Sequence, residues 1–152
     1  MNSYATAVVQ LPLVREAQRT RLKTPEEVAQ FCDDLRDLAQ EAFHIVTLNA
    51  KNHVIDRHMV TVGIADAALV HPREVFKRAC HDGASTLLVV HNHPSGDVTP
   101  STEDIRITRQ LTAAGKVLDI KVLDHVIIAG NSQDPNKRPF LSMREEGLCS
   151  FE

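Results

Sequence analysis

The segment with the clearest chemical content is His91-x-His93, which is followed by Ser101-x-x-Asp104. Alternate residues of a strand share a face, so a His-x-His pair at a strand end brings both imidazoles near one point. Asp104, one turn into a following helix, can return a carboxylate to that point. Two imidazoles and one carboxylate suit Zn²⁺, and three protein ligands leave a fourth position open for water. The pattern predicts a metal site of the catalytic kind.

A site of this kind also needs a carboxylate that acts as a base and is not itself a ligand. Glu41 is the best-placed candidate, at the predicted end of the first helix and just before a strand. An exposed helix-end carboxylate is the equally weighted alternative for Glu41. Ser101 could donate a hydrogen bond to the oxyanion of a tetrahedral intermediate. Ser101-x-x-Asp104 is also a capping box, and both interpretations can hold, because a cap orients the two side chains.

Periodicity and turn signals predict the elements that position these residues. Helices are expected over 24 to about 41, 72–83 and 101–115, and strands over 43–48, 53–62, 86–90, 117–122 and 125–129. Helices and strands alternate and then strands run together, which predicts an α/β fold with a mixed β-sheet sandwiched by helices. Residues 1–152 are expected to form one domain: an N-terminal arm (1–23), a core with the metal site (24–130), and a C-terminal loop and tail (131–152).

Composition excludes several classes of function. With 43% hydrophobic residues among 152, the chain can bury its own core. Seventeen Lys and Arg against twenty Asp and Glu give a net charge of −3, and 4% aromatic residues with no Trp offer no stacking platform, so a nucleic-acid partner is not supported. Three widely spaced cysteines indicate reduced thiols. No segment is apolar enough for a membrane span, and we expect a cytoplasmic protein.

Several longer segments resemble one known family. Residues 91–97 (HNHPSGD) and 100–104 (PSTED) are similar to the signature of the RadC family, a bacterial branch of the JAB/MPN domains that carry the JAMM metalloprotease motif, E…H-x-H-x7-S-x-x-D. Residues 41–49, 70–76, 123–127 and 142–147 extend the resemblance. It implies the JAB/MPN (cytidine deaminase-like) architecture for most of the chain from about residue 24.

The resemblance also implies roles for all five motif residues. His91, His93 and Asp104 would bind Zn²⁺, Glu41 would be the general base, and Ser101 would stabilise the oxyanion. The implied activity is that of a zinc metallopeptidase, in which zinc-activated water attacks a peptide or isopeptide carbonyl. His125 and His71 are further candidates for the surroundings of the metal.

The family resemblance bears on partners as well. Longer RadC proteins carry an N-terminal region resembling a helix-hairpin-helix DNA-binding module, for which this sequence leaves no room, so we expect the stand-alone form. The expected partner is a peptide or isopeptide substrate of unknown identity. One assembly that the sequence allows is a homodimer, in which the apolar N-terminal arm adds an edge strand to a second copy.

Two other function classes stay open on the sequence. One is a DNA-associated protein or metal-dependent nuclease, suggested by the letters HNH at 91–93. The nuclease motif of that name spreads its residues over a larger unit, and the acidic balance also disfavours it. The other is a non-enzymatic metal-binding interaction module. Structural zinc sites usually have four protein ligands, so a three-ligand site favours catalysis.

Overall fold

A mixed five-stranded β-sheet with helices on both faces organises the chain. The computed structural model describes residues 20–63, 70–131 and 138–152. The elements are α1 (Pro25–Phe31), a 3₁₀ helix (Asp33–Asp37), β1 (Ala42–Leu48), β2 (Val54–Val62), α2 (Pro72–Asp82), β3 (Thr86–His93), α3 (Thr102–Leu118), β4 (Lys121–Ala129) and β5 (Phe140–Ser142). The strand order is β2-β1-β3-β4-β5. Among these described strands, β3 and β4 pair in parallel, and the other neighbours are antiparallel. The predicted α/β fold with a mixed sheet is confirmed.

The central strand β3 is apolar on both faces because each face is covered by helices. All of its residues except the first and the last are buried. On one face, Leu87 and Val89 belong to a core shared with α2 and α3. On the other face, Leu88 and Val90 belong to a core shared with α1 and the 3₁₀ helix. Burial of each apolar side chain of this kind stabilises the folded state by about 1.5–3 kcal/mol. Because successive residues of β3 face opposite sides of the sheet, this one strand contributes to the cores on both faces.

The connection from β3 to β4 positions the metal site. Parallel strands need a crossover, and here α3 supplies it. Asp104, Thr108 and Leu111 recur at helical spacing and are buried against the sheet. The first turn of α3 therefore lies over the carboxyl end of β3, where the two histidines stand.

The first helix is shorter than predicted, which changes the setting of Glu41. Its regular part ends at Phe31, a 3₁₀ helix follows to Asp37, and Leu38 is extended. Glu41 lies immediately before β1, not at a helix end. Acidic residues are unfavourable at a helix C-terminus, and the Asp33-Asp34 pair stands there.

The two strands predicted over 117–122 and 125–129 are in fact one strand, β4, preceded by a longer helix. The helix α3 continues to Leu118 and is ended by Asp119 in the left-handed conformation, with φ 56°. Gly115, the predicted helix end, lies inside α3, where a Cβ would be 2.4 Å from the Ile120 carbonyl oxygen. A bulge lies at Leu123 in β4, since Leu87 pairs with Val122 and the next residue of β3 pairs with Asp124. The polar residues Asp124 and His125 follow it and interrupt the apolar pattern of the strand.

The chain ends allow only a partial comparison with the predictions. Most of the predicted arm, residues 1–19, and residues 132–137 of the predicted tail lie outside the described residues. Within the tail, the sequence did not predict β5, which pairs antiparallel with β4. Among the described helices, none combines the length and apolarity needed to cross a membrane.

A polar contact ties β1 and β2 to the segment after α1. Both arms of the Arg57 guanidinium donate to the Asp34 carboxylate, at 2.7 and 2.9 Å. The Arg57 Nε–H donates to Nδ1 of His44 at 3.0 Å. Burial, and then the Arg57 charge, lower the pKa of His44 from 6.5 to about 4. His44 is therefore neutral in the folded protein at neutral pH.

We predict that the titration of His44 makes the folded state less stable as the pH falls from about 6.5 to 4. Its folded pKa lies below the unfolded one, so the unfolded chain takes up the proton first. The stability contribution is complete above the unfolded pKa and is lost as the pH falls through the folded pKa. After solvent screening, the loss is on the order of 1 kcal/mol. Urea denaturation of the wild type and of His44→Gln at pH 7 and pH 5 measures it. An equal pH dependence in both proteins would contradict the prediction.

Candidate metal centre

The carboxyl end of β3 presents two imidazoles on the face that α3 covers. The Nε2 atoms of His91 and His93 are 2.9 Å apart. Their side chains are only 4% and 12% exposed. The pleat of the strand accounts for the convergence, because residues two apart share a face.

The capping box of α3 brings a carboxylate to the same point. The Ser101 Oγ accepts the Asp104 N–H at 3.0 Å, and the Asp104 Oδ2 accepts the Ser101 N–H at 2.9 Å. The Asp104 Oδ1 lies 3.6 Å from Nε2 of His91, and its Oδ2 lies 3.3 Å from Nε2 of His93. The Ser-x-x-Asp pattern is thus a helix cap that also orients Asp104 toward the histidines.

Glu41 approaches the histidines from the neighbouring strand. In the antiparallel pairing of β1 with β3, Phe43 stands opposite His91, and two residues further out the same register sets Glu41 opposite His93. The Glu41 Oε1 is 3.8 Å from Nε2 of His93. Ligand atoms of Glu41, His91 and His93 all lie within 4.8 Å of one another. Long-range strand pairing, and not a helix end, therefore sets the position of Glu41.

Two carboxylates thus compete for the role of third ligand. The Asp104 side chain is 8% exposed and contacts both imidazoles, whereas the Glu41 side chain is 28% exposed and lies further from His93. The buried and closer carboxylate suits a ligand, and the more accessible one suits a base. The roles assigned from the sequence stay predictions, but the structure brings all four side chains together.

The electrostatics of Asp104 and His93 favour a cation at the point where these side chains meet. Burial raises the pKa of the Asp104 carboxyl, but the neighbouring imidazoles of His91 and His93 outweigh burial and hold this pKa well below its usual range. Burial lowers the pKa of His93, but the bond to Asp104, and then the Asp97 carbonyl, raise it above its ordinary value. The carboxylate thus keeps its charge and stabilises a positive charge beside it.

Glu41 differs in its electrostatic setting. Burial is the largest effect on this carboxyl and raises its pKa, although the charges of His91 and His93 act in the opposite direction. A raised pKa makes a carboxylate a better proton acceptor at neutral pH.

The side chains at this point suit a divalent ion that prefers nitrogen ligands. Two imidazole nitrogens and one carboxylate oxygen suit zinc, whereas magnesium and calcium prefer all-oxygen sites. The other ring nitrogen of His93, Nδ1, is held by the Asp97 carbonyl oxygen at 2.7 Å. A hydrogen bond of this kind orients metal-binding histidines and leaves Nε2 for the ion.

Asn92 is a site residue that the sequence reasoning missed. It is fully buried. Its Oδ1 accepts the Ala42 N–H at 2.7 Å, and its Nδ2 donates to the Gln40 carbonyl at 3.0 Å. These two backbone groups flank Glu41, so the Asn92 amide fixes the main chain on both sides of it. The middle residue of His-x-His gave no sign of this role, because its partners lie about 50 residues earlier in the chain.

Two other histidines were proposed for the surroundings of the metal. His125 on β4 is fully buried, and its Nε2 lies 2.6 Å from Nδ1 of His91. Burial, and next the charge of His91, lower the pKa of His125 well below its ordinary value. His71 is instead the exposed N-cap residue of α2. His125 is thus a direct neighbour of the centre, whereas within the described residues no hydrogen bond or ion pair joins His71 to it.

An open cleft leads to the centre from the outside. Its volume is about 510 Å³. Glu41 and His93 form part of its wall, together with Ala39, Gln40, Gly63, Pro94, Ser95, Asp97 and Thr99. Ser101, at the N-terminus of α3, is exposed beside Asp104 but does not line this cleft. A molecule in the cleft therefore lies against Glu41 and His93.

Elsewhere in the described chain, one other group of side chains could hold a metal ion, namely Asp56, His58 and Asp82. The Asp82 Oδ2 already contacts Nε2 of His58 at 2.6 Å and accepts the Thr47 hydroxyl at 2.7 Å. We interpret this group as a polar contact that links β1 and β2 to the end of α2.

A comparison with known protein families agrees with the fold. The family model for the RadC-like JAB domain matches residues 22–148. The chain therefore belongs to the RadC-like JAB domain family. This result confirms the family resemblance drawn from residues 91–104.

Individual relatives give the same picture over a limited part of their length. A UPF0758 protein of Halalkalibacterium halodurans is 44% identical over 139 residues, which are 91% of this chain and 57% of the relative. A UPF0758 protein of Caldanaerobacter subterraneus subsp. tengcongensis is 42% identical over 143 residues, which are 93% of this chain and 58% of the relative. The chain thus spans just over half the length of these curated relatives.

We predict that Asn92→Ala strongly destabilises the protein. The change leaves the Ala42 N–H and the Gln40 carbonyl without partners in a buried setting, which costs about 2–4 kcal/mol. Asn49→Ala is the matched control, since the Asn49 side chain also makes two hydrogen bonds to the backbone, accepting the N–H groups of Lys51 and His53, but in a turn that is partly exposed. We expect a loss of about 1 kcal/mol there. Urea denaturation of the metal-free proteins gives both values, and equal losses would contradict the role of Asn92.

Proposed function

We propose that this protein is a zinc-dependent hydrolase of the JAMM metalloprotease class that cleaves peptide or isopeptide bonds. One observation carries the proposal: buried His91, His93 and Asp104 converge beside the more accessible Glu41, at the wall of an open cleft. Membership of the RadC-like JAB domain family supports the same activity.

In this proposal, His91, His93 and Asp104 hold the ion. Bound zinc lowers the pKa of water to near neutrality and polarises a carbonyl group. Glu41 accepts a proton from the attacking water and delivers it to the leaving amine nitrogen as the carbon–nitrogen bond breaks. Its raised pKa and its place on the cleft wall support this role.

Ser101 is proposed to stabilise the oxyanion. The Asp104 N–H donates to its Oγ, which leaves the hydroxyl proton of Ser101 free to be donated elsewhere. The reciprocal bond from the Ser101 N–H to Asp104 fixes the position of the serine relative to a proposed ligand. A hydroxyl held in this way can donate to the developing negative charge of a tetrahedral intermediate.

The proposed substrate is a peptide or an isopeptide, and the proposed location is the cytoplasm. The chain carries a net charge of −3, which does not favour nucleic acid as a partner. Cys32, Cys80 and Cys149 are all free thiols, as expected in a reducing compartment.

We predict that the metal-free protein takes up about one zinc ion per chain after loading and dialysis. His91→Ala, His93→Ala and Asp104→Ala should lose the ion, because each removes one of three ligands. Glu41→Gln should retain it, because Glu41 is assigned as the base. Inductively coupled plasma mass spectrometry gives the stoichiometry. Absence of zinc in the loaded wild type would refute the metal site. Loss of zinc in Glu41→Gln but not in Asp104→Ala would mean that Glu41 is the ligand and Asp104 the base.

We predict that Glu41→Gln lowers hydrolysis by about 10²–10⁴-fold while zinc stays bound, because the amide cannot accept a proton. Ser101→Ala should lower it by about 10²–10³-fold through loss of the oxyanion donor. Mass spectrometry of peptide and lysine-isopeptide libraries incubated with the zinc-loaded proteins measures both. If the zinc-loaded wild type cleaves neither library, the non-enzymatic binding module becomes the better hypothesis.

A further inference from the structure

A buried chain of hydrogen bonds runs from the metal centre into the space between β4 and α3. Nδ1 of His91 lies 2.6 Å from Nε2 of His125, and Nδ1 of His125 lies 2.6 Å from Oγ1 of Thr108. The Thr108 Oγ1 in turn lies 2.6 Å from the Asp104 main-chain carbonyl oxygen. His91 is 3% exposed, and His125 and Thr108 are fully buried. The chain thus begins at one proposed ligand and ends on the backbone of another.

We propose that Thr108 and His125 are positioning residues that set the tautomer of His91, so that its Nε2 presents a lone pair to the metal. This inference rests on the proposed metal centre and adds to it a device that prepares one of the ligands. The protons along the chain can be counted, since each contact between two atoms holds one proton. At the outer end, the 2.9 Å contact between Nε2 of His91 and Nε2 of His93 takes its proton from His93, which lies beside the Asp104 carboxylate.

Two directions of donation are compatible with neutral rings. In the first, Thr108 donates to the Asp104 carbonyl, His125 donates from Nδ1 to Thr108, and His91 donates from Nδ1 to His125. Nε2 of His91 then carries no proton and can bind an ion. In the second, Thr108 donates to Nδ1 of His125, and His125 donates from Nε2 to His91. Nε2 of His91 then carries the proton and cannot act as a ligand.

The end of the chain selects the first direction. A carbonyl oxygen can only accept, so the 2.6 Å contact between it and Thr108 needs the hydroxyl proton. In the second direction, two oxygen lone pairs would face each other at that distance. A doubly protonated His125 is disfavoured, because the ring is fully buried and neither of its nitrogens contacts a carboxylate of the described residues, so its charge would be buried without a partner. Met143 Sδ, at 3.7 Å from Thr108, is the weaker alternative acceptor.

His93 shows the same principle with a shorter connection. Its Nδ1 contacts the Asp97 carbonyl oxygen directly, at 2.7 Å. In both ligands a backbone carbonyl is the last acceptor, but His91 reaches its carbonyl only through two other side chains. Asp104 therefore contributes twice, with its carboxylate at the centre and its carbonyl at the end of the chain.

Zinc affinity tests the role of Thr108. Thr108→Val keeps the shape of the side chain but removes the hydroxyl, so we expect its zinc dissociation constant to rise about 10–100-fold. Thr108→Ser keeps the hydroxyl and should restore the affinity. Thr112→Val, one turn later on α3, is the matched control and should bind as the wild type does, because among the described residues the Thr112 hydroxyl donates to the Arg109 carbonyl and not to a residue of the hydrogen-bond chain. Competition with a chromophoric chelator at one fixed pH gives the constants.

The result that overturns the inference is equal zinc affinity of Thr108→Val and the wild type. A wild type that binds no zinc would refute the proposed metal centre instead, and a second measurement then still tests the tautomer. Long-range ¹H–¹⁵N spectra of the metal-free wild type, with histidine labelled, should show His91 and His125 protonated at Nδ1. Protonation of His91 at Nε2 in place of Nδ1 would refute the inference. This measurement needs no variant to fold.

Discussion

Two imidazoles and a carboxylate cannot be buried side by side unless each polar atom has a partner, because unpaired buried polar groups are costly. At the end of β3, each of the three side chains has a hydrogen-bond partner. The backbone N–H of Ser101 pairs with Asp104, and the Asp97 carbonyl pairs with His93. His91 pairs with His125, which pairs with Thr108. The residues around the centre thus provide a hydrogen-bond partner for each of the three proposed ligands.

The pleat of β3 divides the work at this strand end between the two faces of the sheet. His91 and His93 face α3, where Asp104 and Thr108 stand one turn apart. Asn92 points the other way and binds the main chain on both sides of Glu41. Three consecutive residues of one strand therefore supply two proposed ligands, His91 and His93, and the side chain that fixes the backbone beside the proposed base. A small change in the register of β1 against β3 would separate these groups, since a shift by one residue exchanges the faces.

The sequence predicts local features of the site better than long-range ones. His91, His93 and Asp104 follow from spacing, because strand pleat and helix cap are properties of a few neighbouring residues. The setting of Glu41 does not, since pairing of Phe43 with His91 determines it and the predicted helix end is absent. The roles of Asn92 and Thr108 cannot be predicted from the sequence either, because they too depend on long-range contacts. Each depends on a partner that only the folded chain brings near. In β4, the polar residues Asp124 and His125 follow the bulge at Leu123 and interrupt the apolar pattern, which makes one strand look like two.

The central claim is that His91, His93 and Asp104 hold a zinc ion together. X-ray absorption at the zinc edge of the loaded protein tests it most directly. We predict the outer-ring scattering of two imidazoles, with zinc–nitrogen distances of about 2.0–2.1 Å, and otherwise only oxygen ligands. His91→Ala and His93→Ala should each reduce or abolish this scattering. Sulfur ligands at about 2.3 Å, or a spectrum without imidazole, would contradict the proposed centre.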